Sequence, residues 1–342
     1  MNGLQRILAT LAGTPVDRRA IAPVLSLYGA RLTECPLDTY YSDPVAYARG
    51  QEAVREIFQP DALFGPFDFP GVGAAFGSEL HWMPQHAPNL RRPAVRSLAE
   101  WDHLALPDPD AHPRLLFLRE AIRRMAEAHR GELAIVACIM SPIDLPAMIL
   151  GLDTWMELVL FDRAGAKRVM ERMVPFFVQL ANGFFAAGAT CLTMPCAFAS
   201  PAIVTREIAS SFALPVMREA LAQLHGPVLV HHGGAPMLAH LDLLVGLPAA
   251  AGYVMDENDD LPRSRQIAGP GPVLFSGPMG PRLPGMTALE VEAQCRAILE
   301  NRREDTRFAL CTCGPDVPWH TPPENIHAIS LAAERFVVGN SA

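Results

Sequence analysis

Eight short apolar runs alternate with longer amphipathic stretches along this chain, and that alternation limits the fold more than any other feature of the sequence. The runs are Ile21 to Leu27, Ala62 to Phe69, Leu133 to Ile139, Thr190 to Met194, Pro227 to Val230, Gly252 to Met255, Pro272 to Phe275 and Arg307 to Leu310. Most are continuously apolar, the pattern of parallel strands covered on both faces. Leu115 to His129, Ala164 to Phe185, Arg206 to Leu224 and Leu289 to Asn301 carry apolar residues at helical spacing, the last opened by Thr287 as an N-cap. Strand alternating with helix predicts a parallel α/β fold, and eight such units favour a closed (β/α)8 TIM barrel over an open sheet. No Gly-x-Gly-x-x-Gly follows an early strand, so the dinucleotide-binding fold lacks its signature. Gly71 to Pro113, rich in proline and holding Trp82 and Trp101, reads as a loop-rich insertion after strand two, a lid or side piece. No linker or repeat divides the chain, so residues 1–342 are expected to form one barrel domain.

Composition narrows the function. Half of the 342 residues are hydrophobic, enough for a large core, and the formal charge of −8 with no basic stripe argues against nucleic-acid binding. Lys167 is the only lysine and lies in a polar helical stretch, which disfavours Schiff-base chemistry. Seven scattered cysteines and no N-terminal apolar leader point away from a disulfide framework and toward a reducing cytoplasm. No segment is long and apolar enough to span a bilayer.

In a barrel the carboxyl ends of the strands converge on one face and carry the chemistry. Here they offer Tyr28-Gly-Ala-Arg31, Asp68-Phe-Pro-Gly71, Met140-Ser141-Pro142, Pro195-Cys196, His231-His232-Gly233-Gly234, Asp256-Glu257, Ser276-to-Gly280 and Cys311-Thr-Cys313-Gly314. The fifth, sixth and eighth runs thus end in imidazoles, carboxylates and thiols, the donor types that zinc selects. Adjacent strand residues point to opposite faces, so one of His231 and His232 is expected to face the pocket, with His231 favoured. Cys313, at a strand end before Gly-Pro, is the stronger functional thiol; Cys311 lies one step deeper. Asp256 or Glu257 is expected to act as a ligand or as a general acid or base. Cys138, Cys191 and Cys295 read as small buried hydrophobes, and packing is somewhat favoured for Cys196.

With these motifs in place the chain resembles the uroporphyrinogen decarboxylase superfamily, and within it the cobamide-dependent methyltransferases. Ala74-to-Glu79, Arg96-to-Glu100, Leu106-to-Pro109, Ser200-Pro201, Gly277-to-Pro281 and Thr321-Pro-Pro-Glu-Asn-Ile326 carry the likeness. The resemblance implies a (β/α)8 barrel in which zinc activates a thiol acceptor and a methylated corrinoid, possibly carried on a partner corrinoid protein, donates the methyl group. The family's zinc motif is His-x-Cys with a later Cys. His231 and Cys313 match its outer members, while Gly233 stands at the middle cysteine. The resemblance further implies a carboxylate ligand near Asp256 or Glu257, with His232, Cys196 or Cys311 available to replace the missing thiolate. Such a site implies one zinc per chain. Tyr28, Arg31 and Ser141 are expected to line the pocket, with Tyr28 also a candidate catalytic group. The runner-up is a tetrapyrrole decarboxylase, but Arg31 is the lone arginine of the first strand end, and a polyanionic substrate needs clustered cations. A diverged barrel that binds a corrinoid or tetrapyrrole without turnover is the third expectation. Exposed helix faces on such a barrel also suit a homodimer.

Overall fold

A computed structural model describes residues 1–336. Ten strands form. The barrel strands are β1 (Ile21–Ala22), β2 (Ala62–Phe64), β5 (Ala134–Cys138), β6 (Cys191–Pro195), β7 (Val228–His231), β8 (Ala250–Val254), β9 (Val273–Ser276) and β10 (Phe308–Cys311), and β3 (Glu79–Met83) pairs with β4 (His86–Arg92) in a separate hairpin. The eight-stranded sheet runs β1-β10-β9-β8-β7-β6-β5-β2, every pairing parallel. Helices separate the strands, so this is the nearly closed (β/α)8 barrel that the alternation predicts, in a single domain.

The seam between β1 and β2 is held by one residue. The backbone N–H of Asp61 donates to the Ile21 carbonyl at 2.9 Å, and the Ile21 N–H donates to the Asp61 carboxylate at 2.8 Å. Arg6 and Arg18 pair with that carboxylate, whose side chain is only 2% exposed. An acid thus supplies the bonds that a longer ladder would have made.

Alternate strand residues fill the lumen, among them Ala22, Phe64, Val136, Leu229, Phe275 and Cys311, leaving a cavity of about 30 Å³. The interior is therefore a packed core, and the space for chemistry lies above it. Where the strands stop is set by distant side chains. The Ile21-to-Leu27 run pairs only at Ile21 and Ala22, because Pro23 has no N–H and the next donors leave the ladder. Val24 donates to the Thr312 hydroxyl at 2.9 Å and Leu27 to the Asp316 carboxylate at 2.6 Å.

The segment expected to be loop-rich is more ordered than its prolines suggest. Helix Phe69–Ala75, capped by Asp68, leads into the β3–β4 hairpin and then helix Leu98–His103, capped by Ser97. The expected Arg206-to-Leu224 helix is broken by a wider turn at Ala209–Ala213 ahead of Pro215. Thr287 caps helix Ala288–Asn301 reciprocally with Glu290. Among the described residues no helix is long and apolar enough to cross a membrane.

Candidate functional site

The carboxyl ends of the strands open into a mouth bordered by the loop after β1, the β3–β4 hairpin and the loop after β10. The two histidines part company here. His231 ends β7 and faces the lumen, where it lines the 30 Å³ cavity beside Thr193, Cys311 and Thr312. Burial and the stacked ring of His232, 4.2 Å away between centroids, hold its pKa well below the usual imidazole value. His232 is fully buried: its Nε2 accepts the Gly314 N–H at 3.1 Å, and its Nδ1 lies 3.5 Å from Asp256. Burial lowers its pKa too, with Asp256 opposing.

Cys313 has no exposed surface. Its Sγ lies 3.0 Å from the Met255 carbonyl and 3.1 Å from the Gly277 carbonyl, and accepts the Gly277 N–H at 3.2 Å. Gly277 permits this cage, since a Cβ there would lie 1.6 Å from the Cys311 carbonyl oxygen. Cys311 points into the lumen; the neighbouring Cys313 thiol and burial push its pKa well above the ordinary thiol range.

The carboxylates are also occupied. Asp256 is 2% exposed and accepts both the backbone N–H and the side-chain amide of Asn258, at 2.9 and 2.8 Å. Glu257 accepts from Arg282 at 2.7 Å and from Gln294 on the outer helix at 3.4 Å. The geometry therefore brings His231 and Cys311 to one cavity and His232 to Asp256. Cys313 lies beside Cys311 in its backbone cage, and Glu257 turns toward Arg282 and the outer helix. Among the described residues no three His, Cys, Asp or Glu side chains converge as a metal would require. A zinc ion at a protein site takes three or four such donors, so the side chains as arranged do not fit the implied centre.

Gly233 shows why the middle thiolate is missing. Its φ is +72°, and a Cβ would lie 2.8 Å from the backbone nitrogen of Ala197. The turn after β7 folds onto the Cys196–Ala199 segment, and only glycine fits that approach.

The remaining expected residues are held by neighbouring groups as follows. Tyr28 is fully buried; its hydroxyl donates to the Thr321 carbonyl at 2.7 Å, and burial raises its pKa against the pull of Arg31. Arg31 donates to the Tyr28 hydroxyl and to the carbonyls of Trp319 and Thr321, so it tethers the last loop. Cys196 is 2% exposed with its sulfur on the His231 carbonyl at 3.3 Å, and burial with Asp144 pushes its pKa far above the usual thiol value. Ser141 is buried beside Asp144.

Three acids assigned no role from the sequence stand at the strand ends. Asp144 accepts the N–H groups of Ala197 and Phe198 at 2.7 and 2.8 Å, and burial pushes its carboxyl up to about 7. Asp68 accepts from Gly71 at 2.9 Å and pairs with Arg114 at 3.3 Å; burial raises it to about 6, with Arg114 opposing. Arg114 also lies 5.7 Å over the Trp82 ring of the hairpin. Asp316 binds the Leu27 N–H through one oxygen, while its buried Oδ1 has no partner among the described residues, and burial pushes it up to about 8. The available signal was position: Asp68, Asp144 and Asp316 each lie within six residues of the end of a barrel strand. Buried carboxyls with raised pKa values are the side chains best suited to carry protons near neutral pH.

Comparison with known proteins fits this architecture. The family model "Uroporphyrinogen decarboxylase (URO-D)" matches residues 2–336. A methyltransferase from Methanosarcina mazei superposes with a TM-score of 0.86 at 17% identity, covering 97% of this chain and 98% of that one. A putative vitamin-B12-independent methionine synthase from Listeria monocytogenes aligns with a TM-score of 0.53 at 14% identity, over 92% of this chain and 95% of that one. A B12-independent methionine synthase from Shewanella sp. W3-18-1, solved with selenomethionine, gives 0.53 at 12% identity, over 85% and 86%. Curated protein sequences include no match.

Proposed function

The chain belongs to the uroporphyrinogen decarboxylase family, and we propose that within it the protein is a methyltransferase that moves a methyl group from a methylated corrinoid to a small thiol. The observation that carries this reading over decarboxylation is the state of Arg31. It is the one arginine of the first strand end, and its Nη1 is held by two backbone carbonyls and a tyrosine hydroxyl. A substrate with many carboxylates needs several guanidinium forks, which a single partly engaged arginine does not supply. A neutral or weakly charged methyl acceptor does not. Structural relatives named as a methyltransferase and as methionine synthases favour methyl transfer, while the synthases are named B12-independent and the corrinoid donor rests on the family resemblance.

In the transfer, the acceptor sulfur forms its bond to carbon as the donor's carbon–cobalt bond breaks, the electron pair staying on cobalt. The thiol proton must leave, because the thiolate is the nucleophile. Asp68, raised to about 6, has a basicity suited to receive it, and Arg114 keeps the carboxylate from rising further. Asp316, raised to about 8 by burial, keeps its proton at neutral pH. The resemblance implies zinc as the thiol activator, but the side chains do not converge on one point, so no step is routed through a metal.

The test is incubation with methylcobalamin and a panel of small thiols, following loss of the methyl–cobalt absorbance. Demethylation that depends on the thiol supports the reading. Corrinoid binding without demethylation by any thiol overturns it in favour of a non-catalytic barrel, and turnover of uroporphyrinogen overturns it in favour of the decarboxylase.

A further inference from the structure

A cleft of about 750 Å³ lies at the rim of the mouth, between the loop after the Tyr28–Leu32 helix and the tip of the hairpin, with Trp319 at its edge. Its walls join Trp82, Trp319, Leu37 and Met83 to two carboxylates, Glu34 and Asp38, and no lysine, arginine or histidine lines it. Neither carboxylate makes an ion pair among the described residues, unlike Asp110 with Arg119 or Asp242 with Arg206. The lining is therefore negative beside aromatic rings, with the Arg114 guanidinium outside it, 5.7 Å over the Trp82 ring.

Two further observations set the cleft apart. Four non-glycine residues of the described chain take a positive φ, and two of them line it: Glu34 at 51° and Gln85 at 64°. Left-handed backbone at such residues is costly and persists where the surroundings impose it, often at ligand-binding loops. The cleft also contains the half-buried thiol of Cys35, whose pKa is raised by burial and by Asp43 and Asp38, with Arg49 opposing. A thiolate is disfavoured there, in keeping with a negative local field.

A negative field over aromatic faces selects one ligand chemistry. Anions are repelled, and a compact hydrated ammonium gains little from indole. A cation whose charge is spread over methyl groups gains from both, since it desolvates cheaply and attracts the ring quadrupole. We propose that this cleft binds a small onium ligand, a quaternary ammonium or sulfonium cation, with Trp82 and Trp319 as its aromatic walls and Glu34 and Asp38 as its counter-charge. The site is independent of the methyl-transfer reading: it requires a ligand at the rim and no transfer.

The test is calorimetric titration of the full-length protein with choline and with 3,3-dimethyl-1-butanol, its neutral isostere. Choline is expected to bind more tightly by about fivefold or more, and Trp82→Leu or Trp319→Leu to weaken it by about fivefold each. Glu34→Gln with Asp38→Asn preserves the shape of the walls; it is expected to weaken choline and to remove most of the salt dependence of binding. Circular dichroism and Tm on each variant confirm that it is folded. Equal affinity for the isostere, no heat with choline, or folded variants that bind choline like the parent would each overturn the proposal. Choline binding in a protein that never demethylates methylcobalamin keeps this proposal and sinks methyl transfer; demethylation without choline binding does the reverse.

Discussion

The sulfur of Cys313 lies 3.0 Å from the carbonyl oxygen of Met255, inside a cage completed by both backbone polar groups of Gly277. A thiol has one proton to give, and two carbonyl oxygens face it. Backbone groups thus occupy the sulfur, and no two other metal-donor side chains converge with it among the described residues. The expected outcome of metal analysis on purified protein is therefore well under one zinc per chain, unchanged in Cys313→Ala. One equivalent that disappears in that variant would show that the cage opens and that the sulfur turns to a metal.

Restoring the missing thiolate is not expected to rebuild a zinc centre. Gly233→Cys places a side chain at φ +72° with its Cβ 2.8 Å from the Ala197 nitrogen. Such backbone strain alone costs about 1–3 kcal/mol, before the turn moves away from Cys196–Ala199. The variant should melt several degrees below the parent with no gain in zinc affinity by competitive chelator titration. Tight zinc binding at an unchanged Tm would show that the turn adapts freely.

These two residues mark how far the sequence is legible. The barrel could be read because buried parallel strands announce themselves as continuous apolar runs, and Val228–His231 and Phe308–Cys311 fall within a residue of expectation. The hairpin could not: Glu79–Met83 and His86–Arg92 are largely exposed, their register shifts twice, and no clean alternation results. Strand ends gathered the right residue types, but the direction of each side chain depends on contacts remote in sequence. Cys313 turns into its cage because it bridges to Met279 past the end of β10. One nitrogen of Arg31, Nη1, is held by Trp319 and Thr321, and no spacing rule carries that information.

The barrel seam gives a stability test. Asp61 accepts from Ile21 and pairs with Arg6 and Arg18 at 2% exposure. Asp61→Ala leaves the buried Ile21 N–H without an acceptor and removes one carboxylate from Arg6, which keeps Asp17, and from Arg18, a loss of about 1–3 kcal/mol. Asp61→Asn keeps an acceptor for Ile21 and loses only the charge, so it should fall between parent and alanine variant in urea denaturation. Equal midpoints for all three would show that the seam closes without this residue.

Asp316 gives the pH dependence its sign. Its carboxyl is raised to about 8 in the folded chain, against about 3.9 in an unfolded one. Between these values the unfolded state has lost a proton that the folded state keeps, so folding takes up a proton and stability falls as pH rises. The contribution is complete below about pH 4 and is lost as pH passes through about 8. Asp68 and Asp144 are raised in the same direction, but both persist in Asp316→Asn, so comparing the two proteins isolates this one group. Denaturant unfolding at pH 5, 7 and 9 should show the variant gaining on the parent at each step upward. If Asp316 also presents its proton to substrate, parental activity should decline above about pH 8, and the variant should lose that decline together with part of its rate. Parallel stability curves for parent and variant would place the titrating carboxyl elsewhere in the mouth.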